Sequence, residues 1–169
     1  GIFLIMMLIL FTSSSCNQLG EAANVNVELT STPAPTAQQM PIIEDRTITY
    51  NGVERTYILR IPYGLDVTQP VPVIFIYHGM GDTPQSMYRA GFGTVADQEN
   101  IVLVYPDLVS HTATDFIDQI MLDVNKAINM DQSRVYSMGF SLGGKLTYHT
   151  ACEMSDTFAA FAAVAGTAI

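Results

Sequence analysis

The chain opens on an unbroken apolar run at residues 2–11 and then changes character. Residues 17–41 show no apolar periodicity and are rich in Asn, Thr, Ala, Gln and Pro, the mark of an exposed tether. From residue 42 onward the apolar positions recur with the periods of secondary structure. Residues 46–50 and 55–61 are β-rich and flank Asn51 and Gly52, a strong signal for a tight hairpin. Residues 62–72, with Pro62, Pro70 and Pro72, read as a loop. Residues 73–77 and 101–105 are continuous apolar runs, as expected of strands buried on both faces of a parallel sheet. Between them, residues 85–99 predict a helix, weakened by Gly91 and Gly93. Residues 115–130 predict an amphipathic helix with Phe116, Ile120, Val124, Ala127 and Ile128 on one face. A strand is predicted at 134–138, a helix at 142–153, and a further strand or buried segment at 158–164.

A hairpin followed by alternating strands and helices predicts an α/β fold, with a mostly parallel sheet covered by helices on both faces. A dinucleotide-binding fold shares that order, but no GxGxxG follows any predicted strand. The folded part is expected to span 42–169, after a targeting segment at 1–16 and the tether at 17–41. Ten apolar residues are too few for a membrane-spanning helix, which takes about 20, but they match the hydrophobic region of a signal peptide. The small residues 12–15 followed by Cys16 resemble a bacterial lipoprotein signal. There Cys16 would be lipidated and attach the protein to a membrane. Ser13 stands where such signals usually carry Leu, and ordinary secretion is the alternative. The chain begins at Gly1, without an initiator Met or a basic leader, so its start reads as clipped.

Charge and cysteine content narrow the function classes. Seven basic against sixteen acidic side chains leave a net charge of −9, which repels phosphate backbones and makes nucleic acid an unsuitable partner. The two cysteines, Cys16 and Cys152, form no CxxC or Cys/His cluster, so no metal site is expected. Cys152 is expected to be buried on the helix 142–153, or bonded to a cysteine outside this sequence.

The chemistry concentrates at Gly139, Ser141 and Gly143, a GxSxG pattern between a predicted strand and a predicted helix. A sharp strand-to-helix turn lifts the serine Oγ clear of the sheet and crowds the positions two before and two after, where only very small residues fit. Gly144 would let the helix pack close to the strands. The helix N-terminus aims free amides at the place where an oxyanion forms. A second signal, His78, Gly79, Met80, Gly81 and Asp82, directly follows the buried run 73–77. A loop in that place supplies one oxyanion donor in the α/β-hydrolase fold, and the residue after the nucleophile supplies the other. Met80 and Leu142 are therefore the expected donors, with Gly81 next in line, and His78 is expected to orient the loop.

These motifs carry a resemblance. "SRVYSMGFSLGGKLTYHTACEMSDTFAAFAAVAGT", together with "YPD", "YHGMGD" and "NGVERTYILRIP", resembles the polyhydroxybutyrate depolymerase-like esterases, a family that includes feruloyl and acetyl-xylan esterases. The resemblance covers nearly all of residues 44–168. It implies an exported serine carboxylic ester hydrolase of the α/β-hydrolase fold, acting on a small-molecule or polymer ester without metal or cofactor. Leu142 departs from the Asn that many members carry there. In this fold the triad acid and base follow the serine in the chain. The only later histidine, His149, lies eight residues along the same helix, about 12 Å down its axis. His111 precedes the serine and could line the mouth of the site. The chain is thus expected to be the N-terminal part of the domain, lacking its base. The rival readings are a serine peptidase or acyltransferase of the same fold, and a non-catalytic surface lipoprotein that uses the fold for binding.

Overall fold

The computed structural model describes residues 40–108 and 114–167. The targeting segment with Cys16, nearly all of the tether, and His111 lie outside the described residues.

Among the described residues the elements run β1 (Ile42–Tyr50), β2 (Val53–Ile61), β3 (Val71–Tyr77), α1 (Pro84–Arg89), α2 (Phe92–Glu99), β4 (Val102–Pro106), α3 (Asp115–Ala127), β5 (Met130–Phe140), α4 (Leu142–Glu153) and β6 (Ala160–Val164). The strands form one sheet in the order β1-β2-β4-β3-β5-β6. Strands β1 and β2 are an antiparallel hairpin closed by Asn51 and Gly52, both at positive φ (50° and 75°), the backbone a two-residue turn of matching twist requires. Strand β2 runs antiparallel to β4, and β4, β3, β5 and β6 are mutually parallel.

Period-two alternation divides the core between the faces. Val71, Val73, Phe75 and Tyr77 of β3 pack with Phe116, Ile117, Ile120 and Val124 of α3 and Leu146 of α4. Ile76 and, partly, Ile74 pack on the other face with Ala96, Phe92, Met87 and Tyr88 of α1 and α2. Helices therefore cover both faces, and the continuous apolar runs follow from that. Arg60 of β2 is buried on the α2 face, where it reaches Asp97 at 2.7 Å. Gly93 makes that passage possible, since a Cβ there would lie 2.9 Å from Arg60 Nε.

Three expectations need correction. The helix foreseen at 85–99 is two helices, separated by Gly91 at φ 95°. The helix foreseen to reach residue 130 ends at Ala127, because Asn129 bonds through both its N–H and its C=O to Val67 and Val71 and draws the chain into β5. The last segment, by contrast, is a strand as foreseen, Ala160–Val164, largely exposed. Cys152 is a free, exposed thiol of α4, so the expectation of burial fails.

Candidate active site

Topology marks the place before chemistry does. The chain leaves β3 toward α1 and α2 on one face, and leaves the adjacent β5 toward α4 on the other. Where neighbouring parallel strands send their exits to opposite faces, a crevice opens at their C-terminal ends. The exits of β3 and β5 are the loop 78–83 and Ser141.

Ser141 separates the last residue of β5 from the first of α4 and holds φ 54°, ψ −113°. Such a backbone is strained for a residue with a Cβ and persists only where its surroundings dictate it. Three contacts do so here. The Ser141 amide donates to Val164 O at 2.9 Å, and Lys145 N–H returns to Ser141 O at 2.9 Å. The third is close packing of glycines. A Cβ on Gly139 would meet Gly143 O at 2.3 Å, and one on Gly143 would meet Tyr77 O at 2.2 Å. Gly144 and Gly166 form a further mutual approach: a Cβ on Gly166 would lie 2.5 Å from the Gly144 carbonyl carbon. Gly166 was not foreseen; its only sequence signal is the small-residue run that ends in it.

Polar side chains secure α4 from beneath. Ser137 of β5 and Thr150 of α4 share a buried hydroxyl pair at 2.8 Å, and Thr147 Oγ1 donates to Gly143 O at 3.0 Å. All three are almost fully buried, so these bonds fix how the helix N-terminus sits over the strand.

The β3 exit meets the serine directly. Gly79 is buried with its α-carbon face toward Ser141, where an added methyl group would stand 3.6 Å from the serine Cβ. Met80 follows with an exposed side chain (80%). Among the described residues the Met80 amide has no hydrogen-bond acceptor. The amide of Leu142, in the first turn of α4, has none within its helix. His78 is 3% exposed, with Nδ1 2.8 Å from Gly79 O and Nε2 2.9 Å from Leu108 N. His149 is half-buried on α4, with Nδ1 3.8 Å from Glu153 Oε1. Asp107 and Leu108, which meet His78, were not foreseen, because that contact spans 30 residues of sequence.

The arrangement is a serine on a strained turn at the start of a helix, with Gly79 of the β3 exit packed against it. That is suited to attack on a carbonyl and to stabilisation of the resulting oxyanion.

No protein-family model matches the chain. It is 34% identical over 105 residues to a bifunctional acetylxylan esterase/xylanase of Neocallimastix patriciarum, a match that covers 56% of this chain and 16% of that protein. It is 30% identical over 134 residues to a probable feruloyl esterase C of Aspergillus flavus, covering 69% and 49%. Its fold matches an S-formylglutathione hydrolase from Staphylococcus aureus with a TM-score of 0.65 at 16% identity, over 75% of this chain and 58% of that one. A ferulic acid esterase from Anaeromyces mucronatus, solved in complex with ferulic acid, matches with a TM-score of 0.64 at 19% identity, over 75% and 58%. The chain spans about half the length, or less, of the curated relatives it matches. It has the α/β-hydrolase fold, and its relatives in sequence are feruloyl and acetylxylan esterases.

Proposed function

We propose that the whole protein is an exported serine carboxylic ester hydrolase that works through an acyl-enzyme on Ser141. The observation that carries this reading is the Ser141 backbone, φ 54° and ψ −113° at a strand-to-helix junction, set against Gly79 of the preceding strand exit. A binding surface has no use for a strained serine, whereas a nucleophile must stand clear of the sheet.

In the reaction, Ser141 Oγ bonds to the ester carbonyl carbon while its proton passes to a general base. The carbonyl oxygen becomes an oxyanion held by the Met80 and Leu142 amides. Collapse breaks the bond to the alcohol, which leaves with the proton, and water then releases the acid by the same path. His78, whose two nitrogens are occupied, and His149, eight residues along α4 and about 12 Å down its axis, are both unsuited to be the base. In this fold the acid and base follow the nucleophile in the chain.

Feruloyl and acetyl esters are the favoured substrate class, since relatives over most of the folded part carry those names. A hydroxybutyryl polyester is the further member of the class. Export, and membrane attachment through a lipidated Cys16, rest on the apolar run at 2–11 and the small residues before the cysteine.

The test is turnover of p-nitrophenyl acetate, p-nitrophenyl butyrate and methyl ferulate by the whole protein. Ser141→Ala is expected to lower kcat by a factor on the order of 10⁶, and His111→Ala far less. Full activity in Ser141→Ala would reject the serine-esterase reading.

A further inference from the structure

His78 sits one residue beyond β3, buried between the exits of β3 and β4. Its neighbours fix its protonation pattern without ambiguity. Leu108 N–H, 2.9 Å from Nε2, can only donate, so Nε2 must present its lone pair. Gly79 O, 2.8 Å from Nδ1, can only accept, so Nδ1 must carry the proton. The Asp107 carboxylate lies farther from Nε2, at 3.4 Å, and an Nε2 that accepts from Leu108 has no proton to give it. Both ring nitrogens thus require the neutral Nδ1–H form.

The consequence appears one bond away. A trans peptide is planar, with its C=O and N–H pointing in opposite directions. The carbonyl of Gly79 and the amide of Met80 belong to one such unit. That carbonyl is held by two donors, His78 Nδ1–H and Asp82 N–H at 3.2 Å. To hold the carbonyl is to aim the amide. The ring cannot swing to follow a drifting loop, because Leu108 anchors its far side to the neighbouring strand exit.

We propose that His78 is the positioning residue of the oxyanion hole, fixing the plane of the Gly79–Met80 peptide so that the Met80 amide points at the oxygen bound beside Ser141. This rests on the reading of Ser141 as nucleophile. His78 touches no reacting atom and acts through Met80.

The experiment is kinetics on the whole protein with three substitutions. His78→Leu keeps the volume but removes the donor, and is expected to lower kcat about 10²-fold, the lower end of what one oxyanion donor supplies, with KM little changed. His78→Asn places an amide N–H near the position of Nδ1 and is expected to recover about tenfold of that loss. Met80→Pro deletes the amide itself. Adding His78→Leu to Met80→Pro should cost little more than Met80→Pro alone, because both act through one hydrogen bond. Losses that multiply, or a wild-type kcat in His78→Leu, would overturn the proposal. Labelling of wild-type Ser141 by a fluorophosphonate separates the two readings. Absence of labelling rejects the nucleophile, while labelling together with an unaffected His78→Leu rejects the positioning alone. Should the His78 variants fail to fold, ¹⁵N shifts of the wild-type imidazole decide. A protonated Nδ1 with a bare Nε2 supports the proposal, and the opposite tautomer overturns it.

Discussion

Ser141 holds a backbone that its own Cβ resists, and the sign of a simple substitution reveals it. At an ordinary position Ala is more stable than Gly, because Gly loses more freedom on folding. At φ 54°, ψ −113° the order should invert, since Gly relieves strain of about 1–3 kcal/mol that Ala retains. Ser141→Gly is therefore expected to unfold at higher urea than Ser141→Ala, both being inactive. An Ala variant as stable as the Gly variant would mean that the turn is not strained. The GxSxG pattern was legible because its cause is local: Gly139, Ser141 and Gly143 meet within one turn. The partnership of His78 with Leu108 was not, because it depends on β3 and β4 lying side by side. Gly166 escaped notice for the same reason, since the helix it must admit begins far back in the sequence, at Leu142. The exposed Cys152 was misplaced because α4 has too weak an apolar periodicity to tell its faces apart.

Elements were legible where one pattern served one structure. The hairpin followed from Asn51 and Gly52 between β-rich runs, and the buried strands from apolar runs too short to be helices. Two failures share a cause. Apolar periodicity carries on through Ile128 although α3 has ended, because that side chain is buried on the same face in either conformation. Likewise residues 84–99 have helical composition on both sides of Gly91, whose role is conformational. Gly91 follows the cap of α1 and itself caps α2, at φ 95°. Helix propensity alone says Gly91→Ala should stabilise by about 1 kcal/mol. The left-handed backbone says it should destabilise by about 1–2 kcal/mol. We expect the second, read as a lower urea midpoint. A rise in the midpoint would mean that the two helices fuse into one.

At the scale of the molecule, charge couples the hairpin to the helical layer and sets the pH range over which the domain holds. Asp123 of α3 accepts from Tyr57 Oη at 2.7 Å and pairs with Arg46 Nη1 at 3.1 Å, joining α3 to both strands of the hairpin. Burial works to raise the Asp123 pKa, but the Tyr57 hydrogen bond and the charges of Arg46 and Lys126 outweigh it and hold the carboxyl below its ordinary value. Asp131, at the start of β5, is held down to about 2 by hydrogen bonds from Ser133 and Arg134. On the alkaline side, burial pushes the Tyr57 and Tyr105 phenols up. The signs follow from proton counting. Below about pH 4 the unfolded chain takes up protons that the folded carboxylates still refuse, so stability falls as acid is added, the Asp131 share being gone below about pH 2. Above about pH 10 the unfolded tyrosines release protons that the folded ones keep, so stability falls again. The expected profile of urea midpoint against pH is a plateau with a falling limb on each side. Asp123→Asn should lower the plateau and make the acid limb shallower, because it removes both the ion pair and its proton linkage. A variant with a lower plateau but an unchanged acid limb would show that Asp123 titrates alike in the folded and unfolded chain, and that the bond from Tyr57 acts without charge.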